Sequence, residues 1–302
     1  MLRVMHRIGG RPRAAVKTAG QLARVVSRRV LNYTVVHGSC SMTSDTLMPA
    51  TPPTLPERTQ PPPTPVDKSG ARVKRLFGAI ARRYDLLNHL LSLGVDKYWR
   101  WRTVRRVPPA AGRPVLDICT GTGDLALAYF KKSGGRVPIV AADFCHEMLV
   151  LGSQKGRRVG GAETIRWIEA DSQRLPLADD RYQIVSVAFG LRNVSDTMRG
   201  LREMVRVCAP GGRVVVLEFS MPTWQPMKAI YGWYFNHVLP RIGQLLARNR
   251  EAAYNYLPQS VGQFPQGEEL LKRMREAGLS DVQSKPLSFG IASLYCGTKE
   301  TR

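Results

Sequence analysis

The sequence predicts an α/β fold: a Rossmann-like, mostly parallel, seven-stranded sheet with helices on both faces and an antiparallel hairpin at its C-terminal end. Three observations carry this expectation. From residue 115 onward, short apolar runs alternate with amphipathic stretches, the pattern of strands joined by crossover helices. The first run, Val115-Leu116-Asp117-Ile118, leads through Gly121-Thr122-Gly123 straight into a helical stretch. The last two strand-like runs follow each other with no helix between them.

Arg72 to Ser92 repeats apolar residues at spacings of three and four (Val73, Leu76, Phe77, Ile80, Tyr84, Leu87, Leu91), which predicts a helix stopped by Gly94. A second, short helix begins at Tyr98 and is closed by Pro108 and Pro109. The alternation then reads strand 115–118, helix 125–132, strand 137–142, helix 147–157 and strand 165–169. Tyr182–Phe189 is almost wholly apolar, as a strand covered on both faces must be. Ser195 or Asp196 suits the N-cap of a helix running to Cys208. Pro210-Gly211-Gly212 predicts a turn before a strand over 213–219. A helix over 268–277 and strands over 282–285 and 291–296 complete the chain.

Ligands on such sheets lie beyond the carboxyl ends of the strands. Asp117, Asp143, Asp171 and Glu218 all fall there, which points to a ligand rather than a bare turn. Asp143 ends the second strand twenty residues past Gly123, where an acid accepts hydrogen bonds from ribose hydroxyls. The site is therefore a nucleoside site. The segment Gly121 to Ala126 also fits the dinucleotide fingerprint, so an NAD(P) oxidoreductase is an alternative. Asp124 at the helix start repels a pyrophosphate, and Asp117 adds negative charge. S-adenosylmethionine (SAM) has no phosphate and carries a sulfonium and an ammonium, so it is the favoured ligand.

Composition bounds the rest. The 302 residues carry a net charge of +22. Residues 1–41 hold eight Lys or Arg and no acid, the pattern of an organelle transit peptide or of translated upstream sequence before Met42. Residues 49–65 hold eight prolines. Residues 1–68 are thus expected to be a disordered extension, with the domain over 69–302. Five scattered cysteines without a Cys-x-x-Cys pair argue against structural zinc, and no metal site is expected. No apolar run reaches the ~20 residues of a membrane span. The basic excess suits nucleic acid or an anionic membrane surface, and no RNA-binding signature is present, so no nucleic-acid partner is expected. Residues 224–246 interleave aromatic and aliphatic residues with Lys228, His237 and Arg241, as an interfacial helix, a lid or a helix packed on the sheet would.

The chain resembles the UbiE/MenG family of quinone C-methyltransferases over about Val73 to Lys299. The likeness lies in VKRLFGAIARRYDLLNHLLSLGVDKYWR, VLDICTGTGDLA, AADFCHEML, EADSQRLPL, AFGLRNVSD, RVCAPGGRVVVLEFS and YNYLPQSVGQFP. It implies the class I SAM-dependent methyltransferase fold. It also implies SAM contacts at Thr122 (methionine part), Asp143 (ribose), and Asp171 and Ser172 (adenine), around a turn built from Asp117, Gly121 and Gly123. The CTGTG form of the turn resembles the menaquinone branch, which implies demethylmenaquinol as substrate, with the methoxy-benzoquinol precursor of ubiquinone as the alternative. The stretch from Ala247 to Tyr254 departs from the family pattern, which bears on substrate contacts. An RNA or small-molecule SAM methyltransferase is a further alternative.

Methylating a ring carbon requires deprotonation of a neighbouring ring hydroxyl. Arg192, just past the buried strand, is the candidate to stabilise the phenolate. Tyr84 and His89 on the first helix are the other candidate catalytic residues, with His89, or His237, as base. A polyprenyl quinol resides in the bilayer, so peripheral attachment to a membrane surface is expected, in the cytoplasm, or in the mitochondrial matrix if residues 1–41 are a transit peptide. A homo-oligomer is compatible with the sequence.

Overall fold

The computed structural model describes residues 67–222, 224–234, 237, 241, 256 and 259–301, without the side chains of Leu87, Leu90 and Leu91. All belong to one compact unit. The expected extension over 1–68 lies outside the described residues except for Asp67 and Lys68. So do residues 235, 236, 238–240 and 242–246 of the aromatic segment, and the divergent stretch 247–254.

Two helices, α1 (Gly70–Leu91) and α2 (Val95–Arg106), precede the sheet. There follow β1 (Val115–Ile118), α3 (Asp124–Lys132), β2 (Ile139–Asp143), α4 (His146–Arg158), β3 (Ile165–Glu169) and β4 (Tyr182–Ala188). Then come α5 (Thr197–Val207), β5 (Cys208–Phe219), α6 (Gln225–Trp233), α7 (Glu268–Glu276), β6 (Leu279–Leu287) and β7 (Ala292–Lys299). The seven strands lie in the order β3-β2-β1-β4-β5-β7-β6. β1 to β5 pair in parallel, and β7 runs antiparallel to both β5 and β6. The expected architecture is thus present in full.

Side-chain alternation divides the core between the two faces. Leu116 and Ile118 of β1 pack with Leu201 and Met204 of α5 and Leu270 and Met274 of α7. Val115 packs on the other face with Trp99 of α2 and Leu125 and Tyr129 of α3. Both faces of β1 are covered, which is why it reads as an unbroken apolar run around one acid. Asp196 caps α5, its Oδ1 accepting the Arg199 N–H at 2.9 Å.

Three boundaries differ from the sequence expectation. α2 starts at Val95, three residues early, because Gly94 takes a left-handed φ of 76° and launches it directly. Pro210-Gly211-Gly212 does not precede β5 but bulges out of it: Tyr182 pairs with Cys208 and Ile184 with Arg213. The hairpin strands are longer than expected. β6 buries only Leu279 and Leu287 at its two ends, so no period-two pattern marks its middle.

Trp167 of β3 wedges between α3 and α4. A Cβ on Gly152 would lie 2.4 Å from the Trp167 ring, and one on Gly123 2.3 Å from it. Gly152→Ala is expected to cost about 1–3 kcal/mol by overpacking. A smaller residue at 167 in the same chain should recover part of that loss; urea denaturation of the single and double variants measures it.

Asp117 sits within β1 and is 1% exposed. It accepts hydrogen bonds from the hydroxyls of Ser186, at 2.7 Å, and Thr120, at 2.6 Å. Burial nevertheless pushes its carboxyl up from 3.8 to about 6. The folded chain then holds more protons than the unfolded one between these values, so this contribution to stability falls as pH rises through the window. Relative to Asp117→Asn, the wild-type chain should lose about 2 kcal/mol between about pH 4 and pH 7. Urea midpoints of both proteins at the two pH values test this.

Candidate functional site

The strand order reverses between β1 and β4, and the chain turns sharply at both strand ends. Cys119 and Phe189 hold φ of 46° and 57°, unusual for residues with side chains. A Cβ on Gly190 would lie 2.4 Å from the Cys119 Cβ, so only glycine lets the two turns meet. Beside this junction lies a cavity walled by Gly121, Asp143, Asp171 and Ser172 from the loops after β1, β2 and β3. Phe189, Gly190 and Asn193 form its β4 side, and Phe77, Tyr84 and Lys68 from α1 and the residues before it cover the remainder.

Asp143 is 7% exposed, and each of its oxygens accepts one backbone N–H: Gly121 at 2.8 Å and Cys145 at 2.9 Å. A carboxylate has about four lone-pair sites, so acceptor capacity remains for a ligand. Burial raises its pKa despite these bonds. Asp171 folds into a local turn, its Oδ1 accepting the Gln173 N–H at 2.9 Å. Ser172 is buried beside it. Burial pushes the Cys119 thiol far up, which keeps it protonated and unreactive.

Other residues singled out in the sequence sit elsewhere. The Thr122 side chain turns away from the cavity to bond Asp85 of α1 and, at 3.1 Å, Lys155 of α4. Gly123 opens α3 behind the turn with a φ of 82°. Asp124 also points away: Lys155 pairs with it, and the Arg100 guanidinium lies 3.7 Å off. Its charge is therefore met by cations, and Asp124 does not by itself exclude a phosphate from the helix start.

His89 does not reach the cavity either. Its Nδ1 is 2.8 Å from Asp96, and it lines a separate groove with Arg100, Asp124 and Lys155. His89, Asp96 and Asp124 converge closely enough to bind a metal ion. Arg100, bonded to Asp96, already supplies the cation there. His237 is exposed, 6.4 Å from the Trp233 ring.

Tyr84 does line the cavity, edge-on to Phe77 at 5.9 Å. Burial raises the pKa of its phenol, so it is a hydroxyl donor and a poor base. Arg192 is 6% exposed and paired with Glu218 at 2.9 Å, its guanidinium 5.2 Å above the Phe219 ring. Its backbone N–H also donates to Glu218, at 3.2 Å. Its Nε is buried without a partner. Arg192 stands behind the Phe189–Asn193 wall rather than in the open cavity.

Lys68 is the residue that sequence reasoning missed. It precedes α1 by two residues, within the stretch assigned to the extension, yet it lines the cavity. The sequence offers little to find it: a single lysine next to a proline-rich segment, with no apolar pattern of its own.

Residues 66–299 match the ubiE/COQ5 methyltransferase family. A protein of Deinococcus radiodurans named demethylmenaquinone methyltransferase is 44% identical over 242 residues, 80% of this chain and 98% of its own length. A ubiquinone/menaquinone biosynthesis C-methyltransferase of Geotalea daltonii is 41% identical over 232 residues, 77% of this chain and 98% of its own length. Among solved structures, a SAM-dependent methyltransferase of Thermotoga maritima has a TM-score of 0.53 at 15% identity, covering 75% of this chain and 99% of that one. The [4+2]-cyclase SpnF has a TM-score of 0.59 at 15% identity, covering 79% of this chain and 98% of that one. These two likenesses concern the fold, whereas the sequence matches span the cavity-lining segments from both sides of the sheet. The chain belongs to the ubiE/COQ5 methyltransferase family.

Proposed function

We propose that this methyltransferase moves the methyl group of SAM to a ring carbon of a polyprenylated quinol, demethylmenaquinol in particular. The observation that carries the reading is the match, over nearly their whole length, to relatives named for quinone C-methylation. The methoxy-benzoquinol precursor of ubiquinone is the second acceptor to consider, since relatives of similar identity are named for both quinones.

The cavity fits SAM on its own terms. Asp143 offers buried, fixed lone pairs suited to a ribose diol, and Asp171 and Ser172 stand one strand further along for the adenine. The turn from Cys119 to Gly123 brings backbone close to the methionine part. Thr122 serves that turn by anchoring it to α1 and α4 through Asp85 and Lys155. Asp117 braces it from below through Thr120. SAM supplies an electrophilic methyl on a sulfonium, so the protein's task is to hold the acceptor in line and manage one proton. Arg192 contributes a fixed positive charge behind the acceptor side, balanced by Glu218.

A bilayer-borne acceptor requires contact with a membrane. No helix of the described residues is long and apolar enough to cross one. Two surface features support attachment at the interface. A groove of about 900 Å³ carries Lys97, Arg105, Lys131, Lys132 and Arg158 around the exposed Trp101. Leu93, Trp224, Ile230, Trp233 and Phe289 are also largely exposed. On α6, Tyr231 is buried while Ile230 and Trp233 face outward, so one helix both packs on the domain and presents an apolar face.

Asp143→Asn should weaken SAM binding about tenfold to a hundredfold, the value of one or two hydrogen bonds to a charged group, without unfolding the chain. Calorimetric titration measures this, and an unchanged affinity removes Asp143 from the ribose site. Flotation with vesicles tests the membrane reading. The protein should rise with anionic but not zwitterionic vesicles and be released at about 1 M salt, where the screening length shrinks to ~3 Å. Recovery in the soluble fraction under all conditions would remove it. Radioactive methyl transfer to demethylmenaquinol and to the methoxy-benzoquinol, side by side, tests the acceptor.

A further inference from the structure

The reaction needs a group that removes a ring-hydroxyl proton, and the side chains first expected to do so are poorly placed. His89 belongs to another groove, and Tyr84 holds its own proton. The Arg192 guanidinium is already engaged by the Glu218 carboxylate. Asp143 is tied to two backbone N–H groups, and its spare lone pairs are taken by the donor's ribose in the reading above. We propose that Lys68 is the general base of this site, an assignment that rests on the quinol reading above.

Three observations support it. Lys68 lines the same cavity as Gly121, Asp143, Phe189 and Asn193, the space in which donor and acceptor must meet. Among the described residues the amine forms no hydrogen bond, which leaves its lone pair available once it is neutral. Its surroundings ease deprotonation relative to a free lysine. Burial lowers its pKa from 10.5, the Glu218 carboxylate opposes this, and the Arg192 and Arg273 guanidiniums reinforce it. The neighbouring Asp67 is engaged with Ser69 and Arg72 rather than with the amine. Glu218, the carboxylate acting on Lys68, is itself paired with Arg192, so it does not hold the ammonium in place. An amine brought down toward the range of a phenol exchanges a proton with it at little cost in either direction.

The proton and electron accounts close without another reactant. The neutral Lys68 amine takes the ring O–H proton, leaving a phenolate. The ring carbon beside it bonds to the donor's methyl carbon as the C–S bond breaks, with the electron pair staying on sulfur. The methylated carbon then loses its own hydrogen to water, which restores the aromatic phenolate. Lys68 returns its proton to that oxygen, and one proton is released overall.

The test compares the full-length wild type with Lys68→Met and Lys68→Arg. NMR titration of the lysine side chains, with the Met variant for assignment, should show Lys68 losing its proton below 10.5. With a short-chain quinol, both variants should lower kcat by about 100-fold or more, with SAM affinity held within about threefold and the rise of kcat with pH abolished. Lys68→Arg keeps the charge but cannot accept the proton. Retention of wild-type kcat by that variant would reduce Lys68 to an electrostatic role and overturn the assignment. Titration at or above the ordinary lysine value would overturn it as well. A wild-type chain that methylates no quinol while Lys68 titrates low would instead overturn the quinol reading beneath it.

Discussion

The reversal of strand order between β1 and β4 is the constraint on which the site depends. Helices after β1 and β4 leave the sheet toward opposite faces, so nothing covers the carboxyl edge at that junction. The chain keeps the opening narrow by bringing two strained turns together. Cys119 and Phe189 both take positive φ, and Gly190 lacks the one atom that would keep them apart. Such conformations cost about 1–3 kcal/mol each and persist only because the buried strands on either side fix them.

The four acids of this edge look alike in sequence and differ in the fold. Asp117 is sealed inside β1 and held by hydroxyls, and burial raises its pKa to about 6. Asp143 is tied to two backbone N–H groups and keeps spare lone pairs toward the cavity. Asp171 closes a local turn. Glu218 forms a buried pair with Arg192. One carboxylate braces, one keeps lone pairs free at the cavity, one shapes a loop and one balances a cation. Environment rather than residue type divides these roles.

A second polar network clamps the outside of the glycine turn. It runs from Thr122 through Asp85 and Lys155 to Asp124, then through Arg100 to Asp96 and His89. It joins α1, α2, α3 and α4 to the loop that walls the cavity. Its members alternate in charge and are partly shielded, so each cation is met by a carboxylate. This network accounts for His89 and Asp124, whose chemistry suggests a ligand site but whose partners lie within the protein.

Sequence alone determined the order of strands and helices, the glycine turn and the acids at the strand ends, because these rest on local periodicity and backbone freedom. β1 was legible from its apolar run, and the cap of α5 from Asp196. The motifs also sufficed to place the chain in its family. Side-chain direction and pairing were decided only by the tertiary structure. Thr122 is adjacent to Gly121 in sequence, yet its side chain faces away from the cavity because α1 and α4 offer Asp85 and Lys155 as partners. Lys68 lies fifty residues before the glycine turn and reaches the same cavity only because α1 folds across the sheet edge. No local pattern reports such a contact, since it arises from packing between elements distant in the chain.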